Sequence, residues 1–345
     1  MANLTEPSFS SGKREELADL ISMVDAKDTP ITSMAKKGSK PGNTLFRWQA
    51  DRLPTPRTTG TVDGTDVTSY ENYVKDGATV YRAELSNYIQ IFRRAVRVSP
   101  LTQDIAVVAG VRDELANNVA KGIQGLKRDM ESTISSNNAM QADDGTDPYL
   151  TRGLGKWLEA AGSGGQDPTH AIPAAFQTPT ANISTVGTAA LTETVVQNVL
   201  TGIYTQTGQF RDFDLVCGSA LKRAFTNLAY TTPSSGSTNT QSAIRTLNRE
   251  SDASTYISSV DIFEGDFGKL RLHPSHFINI DGSGIGDVHK GFVIPFDLLE
   301  VRYGGNVAGV TALPNYGGGE ARMIEAVAGL CVYNPLAFGV FNFSA

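Results

Sequence analysis

A chain of 345 residues, 40% of them hydrophobic, can bury a large core, so one large domain or two intertwined ones are expected and global disorder is excluded. Its 34 glycines show no collagen-like period and forecast many turns and β-rich stretches. The formal net charge of −6 argues against a dedicated nucleic-acid binder, which carries a clear positive excess.

Met1 to Ser10 has neither the basic nor the apolar region of a secretory signal, and no apolar run reaches membrane-spanning length. A soluble protein made in a cytoplasm, with no membrane partner, is the expectation. Residues 1–44 read as an arm. Leu17, Leu20, Ile21 and Val24 fall at helical spacing beside Glu15, Glu16 and Asp19, which predicts one short amphipathic helix. So short a helix is unstable alone, so its stripe must dock on its own domain or on a neighbouring subunit.

Residues 45–98 read as one long hairpin. A strand over Thr44–Gln49 leads into a Pro/Thr/Gly/Asp-rich stretch that ends near Gly77. The returning strand sets Tyr81, Ala83, Leu85, Ile89 and Ile91 on one side. Two-stranded ribbons are marginal in water, so this one is expected to pack on another chain through Phe46, Trp48, Ile89 and Ile91. Its charges are polarised. The tip carries Asp63, Asp66, Glu71 and Asp76 against Lys75, whereas Arg47, Arg52, Arg93, Arg94 and Arg97 mark the base. That arrangement suits head-to-tail contact between identical subunits.

Residues 99–140 predict a single long spine helix. Ser99 caps it, Pro100 takes its first position, and an apolar stripe runs through Leu101, Ile105, Val108, Val111, Leu115, Val119, Ile123, Leu126, Met130 and Ile134. At ~1.5 Å per residue it would reach roughly 50–60 Å, with a bend expected at Gly122 and Gly125. Gly145 to Gly187 is loop-rich around Trp157. A compact α/β unit follows: a helix through Val195, Val196, Val199, Leu200 and Ile203, a strand at Phe213–Cys217, and a helix through Leu221, Phe225 and Leu228. Thr231–Gln241 is a low-complexity loop. Strands are expected at Tyr256–Phe263, Lys269–His273, Phe277–Ile280 and Phe292–Ile294, then at Met323–Tyr333 and Ala337–Phe343.

Candidate chemistry is sparse. His273 and His276 are separated by Pro274, and with His289 they lack a fixed cysteine or acidic ligand, so they read as surface residues and not as a metal site. Asp281–Asp287 has no P-loop, EF-hand or dinucleotide spacing and reads as a turn. Gly218-Ser219-Ala220 follows a strand but lacks the second glycine of a nucleophile elbow. Cys217 and Cys331 sit in apolar runs and are expected reduced and buried. No cofactor is implied, and a structural protein is favoured over an enzyme with an unrecognised site.

Arm, long hairpin, spine helix, loop-rich stretch, compact α/β unit and closing strands, in that order, resemble the Hong Kong 97 fold of tailed-bacteriophage major capsid proteins. Glu15-Glu16-Leu17-Ala18-Asp19 leading to Asp28-Thr29-Pro30-Ile31 is similar to the arm of one phage head-protein family. Val260-Asp261-Ile262-Phe263-Glu264-Gly265-Asp266-Phe267-Gly268-Lys269-Leu270 is similar to its A domain. The resemblance implies an α+β fold with an N-terminal arm (1–44), an extended loop (45–98), a P domain (99–190), an A domain (191–312) and closing strands returning to the P domain (313–345). It implies self-assembly in hexamers and pentamers into an icosahedral virion shell, built in the host cytoplasm. A separate scaffolding protein, a portal, a decoration or cement protein, and double-stranded DNA bound without sequence specificity at the inner face are the implied partners. Some relatives cross-link a Lys to an Asn; Lys75 and Asn334 are the only pair to nominate, and nothing marks them. An encapsulin-type nanocompartment shell is the alternative with the same fold.

Overall fold

A computed structural model describes residues 25, 28–53, 56, 58, 60–66, 82–105, 113–160, 171–187, 191–228, 260–279, 287–305, 308–315 and 317–343. Leu17, Leu20, Ile21, Glu71, Lys75, Asp76, the Thr231–Gln241 loop and most of Asp281–Asp287 lie outside these residues.

The first elements are α1 (Pro30–Met34) and β1 (Lys36–Gly38). The ribbon expected from sequence is present as β2 (Leu45–Asp51) and β3 (Arg82–Tyr88), antiparallel, with Leu45 opposite Tyr88 and Asp51 opposite Arg82. Ile89 interrupts the returning strand, and the chain continues as β4 (Gln90–Val98). The single spine helix does not form. A short α2 (Pro100–Ile105) comes first, and α3 (Glu114–Ile134) starts afresh behind Asp113, whose extended backbone and carboxylate accepting from Ala116 N–H make it an N-cap. At ~1.5 Å per residue, the 21 residues of α3 span roughly 31 Å, well short of the expected length. Leu101, assigned to the buried stripe, is 68% exposed.

Gly122 and Gly125 do not break α3. A Cβ at Gly122 would lie 2.4 Å from the Ile324 side chain, so this glycine lets the helix approach the sheet beneath it. After α4 (Leu154–Trp157) and β5 (Ile183–Ser184), α5 (Glu193–Thr207) follows. Thr192 caps its start, and Gly208, in the left-handed region at φ 64°, ends it. Then come β6 (Arg211–Cys217), α6 (Ser219–Leu228), β7 (Ile262–Gly265), β8 (Gly268–Pro274), β9 (Lys290–Ile294), β10 (Leu299–Tyr303), β11 (Gly309–Leu313), β12 (Glu320–Val332) and β13 (Gly339–Asn342).

Two sheets organise the body. In the first, the 13-residue β12 pairs antiparallel with β4 over Glu320–Ala328, with β11 over Ala321–Glu325 and with β10 over Ala328–Val332, and β1 adds in parallel to β10. Residues 90–98, read as part of the hairpin, and β10 and β11, which fall almost wholly in the expected A domain (191–312), therefore share one sheet with the closing strand. The second sheet runs β5-β13-β9-β6-β8-β7. On one face Phe213, Leu215, Leu270 and Phe341 pack against Val196, Leu200, Ile203, Leu221 and Phe225 of α5 and α6. On the other, Val216, Phe292, Ile294 and Val340 join the core that contains α3 and the first sheet. Both sheets are thus held by one continuous interior, and burying this apolar surface is what holds the body together. The strand expected at Phe277–Ile280 is absent over residues 277–279; Phe277 and Ile278 are buried without ladder pairing, and Ser135 Oγ donates to Phe277 O at 2.9 Å.

Candidate assembly surface

The ribbon's root belongs to its own chain. Phe46, Trp48, Ala83 and Leu85 alternate toward the body and are buried there, which corrects the expectation that Phe46 and Trp48 await a neighbour. Trp48 is 8% exposed, its ring centroid lies 5.7 Å from Phe46 and 5.5 Å from Trp157, and its indole N–H donates to Val332 O at 3.1 Å. Asn87 continues the inward phase. Its amide donates to Leu330 O at 2.7 Å, and its Oδ1 accepts from the N–H groups of Arg152 and Tyr88 at 2.7 and 2.9 Å. Beside Phe46, Arg302 Nε donates to Glu300 Oε1 at 2.8 Å, and Tyr333 Oη donates to Glu300 Oε2 at 2.6 Å. Burial, then that bond to Glu300, pushes the Tyr333 hydroxyl above its ordinary pKa, so it remains a donor.

Beyond Ile89 the chain is covered from the other side. On β4, Phe92 and Val98 are buried and Arg94 and Val96 lie under α3, whereas Ile91 turns outward at 50% exposure. Ile89 is half-buried against the core. One apolar phase therefore cannot serve the whole returning strand, because the ribbon and the sheet are backed on opposite faces.

Most of the basic residues expected to meet a neighbour already have partners. Arg47 donates to Glu84 at 2.7 Å across the ribbon, and Arg93 Nε donates to Glu325 at 2.7 Å. Arg94 makes two bonds of 2.7 Å to Asp129, which hold its guanidinium above its ordinary pKa. Arg52 donates one N–H to Ala175 O at 2.9 Å. Arg97 is exposed and has no partner among the described residues. Toward the tip, Asp63 and Asp66 are exposed on a turn closed by Thr65 N–H to Val62 O at 3.2 Å, with Gly64 at φ 78°. Leu53 and Val62 stand 89% and 75% exposed. The end of the ribbon overhangs a cavity of about 480 Å³ lined by Arg52, Leu53, Phe176, Thr207, Arg211 and Leu336, among others. Among the described residues, these apolar side chains, Arg97 and the acidic turn belong to the surface left exposed, with Ile91, Leu101, Phe210 and Ile262 elsewhere.

The sites weighed from sequence take structural positions. His273 pairs with Asp214 at 2.8 Å across β8 and β6, and His276 packs edge-on against Phe277. Among the described residues, no group of three His, Cys, Asp or Glu could hold a metal, and no helix is long and apolar enough to cross a membrane. Ser219 opens α6 on a sharp turn, where Gly218 lies against the Asp287 and Val288 carbonyls. Asn334 caps a 3₁₀ turn by accepting from Leu336 N–H at 3.2 Å. Both cysteines are buried, and burial pushes each thiol up to about 12.

Sequence reasoning passed over Asn87 and Glu131. Asn87 could have been flagged, being polar in the inward phase of an alternating strand, whereas the place of Glu131 in a last helical turn, where the dipole disfavours an anion, shows only once α3 is seen to end at Ile134.

Comparison with known proteins decides what this arrangement belongs to. The sequence pattern of the SU10 major capsid protein family matches residues 3–344. The chain belongs to that family. A major capsid protein of Escherichia phage Phieco32 is 34% identical over 141 residues, 41% of this chain and 38% of the relative, so the match spans about two fifths of that protein. The capsid structure of cyanophage A-1(L) superposes with a TM-score of 0.62 at 12% identity, covering 98% of this chain and 99% of the other. The holo-SrpI encapsulin complex from Synechococcus elongatus superposes at 0.52 and 10% identity, covering 99% and 95%. At these identities the structures share the fold alone, and that fold is the Hong Kong 97 capsid fold. The chain is a major capsid protein of the tailed-phage head type.

Proposed function

We propose that copies of this capsid protein assemble as hexamers and pentamers into a closed icosahedral head that encloses double-stranded DNA. A separate scaffolding protein and a portal would take part, assembly would run in the host cytoplasm, and a decoration protein would bind outside. DNA would meet the inner face without sequence specificity, in keeping with the acidic balance of the chain. The chain would act structurally and catalyse nothing. The observation that carries the reading is exposed apolar surface: Leu53, Val62, Ile91 and Leu101 face solvent in one copy, as do an acidic turn and Arg97, which has no partner among the described residues. Burying such side chains against a second copy supplies the drive, and Asp63 or Asp66 facing a neighbour's Arg97 would set orientation, since exposed pairs contribute only ~0–1 kcal/mol each. Arm residues Leu17, Leu20 and Ile21 would add apolar contact. Negative-stain microscopy of the expressed protein should show capsomers or shells. A stable monomer at every concentration and salt, without particles, would overturn the proposal.

A further inference from the structure

We propose that Glu131 is a positioning residue that clamps α1 onto α3 and thereby fixes the point at which the arm joins the body. The inference rests on the shell reading, in which that arm reaches a neighbouring copy. Its basis is a capping interaction across 100 residues of sequence. Thr29 stands at the N-cap of α1 but makes no side-chain cap, and its hydroxyl lies against Ser33. The free N–H groups of Ile31 and Thr32 instead donate to the two oxygens of Glu131, each at 2.8 Å.

That carboxylate is placed against the ordinary preferences of a helix and of a core. Glu131 is fully buried and sits in the last turn of α3, near the negative end of the helix dipole. No cation pairs with it among the described residues. The neighbouring charges on α3 are engaged elsewhere, Arg128 with Asp25 at 3.6 Å and Asp129 with Arg94. Of the elements packed around it, β10 presents the Tyr303 hydroxyl and α1 the Thr32 hydroxyl. A buried carboxylate without a counter-ion is costly unless its lone pairs are satisfied, and here the two backbone N–H groups satisfy them.

The segment after the clamp is fixed as well. Ile31 is fully buried, Lys36 Nζ donates to Asp297 O at 2.8 Å, β1 pairs with β10, and a Cβ at Gly38 would collide with Glu300. Residues 29–38, assigned from sequence to the arm, therefore dock on their own body.

Glu131→Gln keeps the shape and tests the chemistry. Its amide offers one acceptor oxygen and sets an NH₂ group against the second backbone N–H, donor against donor. In hydrogen exchange on the unassembled full chain, the Ile31 and Thr32 amides should exchange roughly ten- to a hundredfold faster than in wild type. Amides of β9 and β12 should keep their rates. Under assembly conditions, negative-stain images should show fewer closed shells and more open or aberrant particles. Unchanged exchange at Ile31 and Thr32 would overturn the clamp, and so would faster exchange spread over β9 and β12, which marks a residue that merely stabilises the body. Released amides with wild-type shells would overturn the anchor's role in assembly. A wild type that forms no shells would overturn the shell reading and that role with it, while the exchange data would still decide whether the clamp exists.

Discussion

Trp48→Ala separates a ribbon docked on its own chain from one that waits for a neighbour. Trp48 is 8% exposed, stacks on Phe46, touches Trp157 and donates to Val332 O at 3.1 Å. Truncating a buried tryptophan costs about 3–5 kcal/mol, combining lost transfer energy with the cavity left behind. The hydrogen bond accounts for about 1 kcal/mol of that, so Trp48→Phe, which keeps a ring, should cost nearer that smaller figure. Against a typical total of about 5–15 kcal/mol, the alanine variant should unfold at visibly lower urea. Unassembled subunits are the sample, followed by intrinsic fluorescence. The chain has 2 tryptophans, so in the alanine variant Trp157, the partner across the contact, becomes the only one reporting. A loss below about 1 kcal/mol in the free subunit, together with failed assembly, would refute the reasoning and return the ribbon's apolar face to a neighbouring copy.

Burial raises the Glu131 carboxyl pKa in the folded chain, partly offset by the Thr32 and Ile31 N–H bonds, so only between its ordinary value and that raised value does the folded form hold a proton that the unfolded form has released; above it Glu131 is the carboxylate of the clamp. Its contribution to stability is complete below the ordinary carboxylate value and is lost as pH rises through the raised folded value. Wild type should therefore lose stability relative to Glu131→Gln across that window in urea titrations; a difference that does not vary with pH contradicts it. Cys217 and Cys331 are pushed by burial up to about 12 and present little thiolate, so a disulfide-exchange reagent at pH 8 should label them only as the chain unfolds, and prompt labelling of native protein would contradict their burial. Asp63→Lys and Arg97→Glu should each weaken assembly, and the double exchange should restore it, with light scattering at low and high salt as the readout. Wild-type assembly by Asp63→Lys at low salt would show that the turn fills space without electrostatic docking.

The elements legible in sequence are those whose signal is local. The Leu126, Met130 and Ile134 stripe, the Val195–Ile203 stripe of α5, the Phe213–Cys217 strand and the Phe46/Trp48 alternation all appear where the periodicity puts them. The short strands β1, β10 and β11 left little trace, because their pairing with one another and with β12 comes from distant parts of the chain. The uncovered surface was half legible. Its acidic turn and exposed arginine follow from charge pattern, but that Arg47, Arg93 and Arg94 are engaged by Glu84, Glu325 and Asp129 depends on strand register and helix placement.

By itself the sequence determined the apolar faces of β2, β3, α5 and the end of α3, the order of arm, ribbon, helix and α/β unit, and that no catalytic constellation stands out. Tertiary structure alone decided what covers each face. Phe46 and Trp48 meet Gly329 and Val332, nearly 300 residues on, and Gly122 lets α3 settle onto Ile324. Asp113 caps α3, and Glu131 reaches back to Ile31 and Thr32. The physical reason is that periodicity records a side chain's need for burial, which is non-directional and met equally by any apolar partner. Which partner meets it is settled by chain connectivity and close packing, where a missing Cβ or a correctly placed N–H selects one arrangement among many.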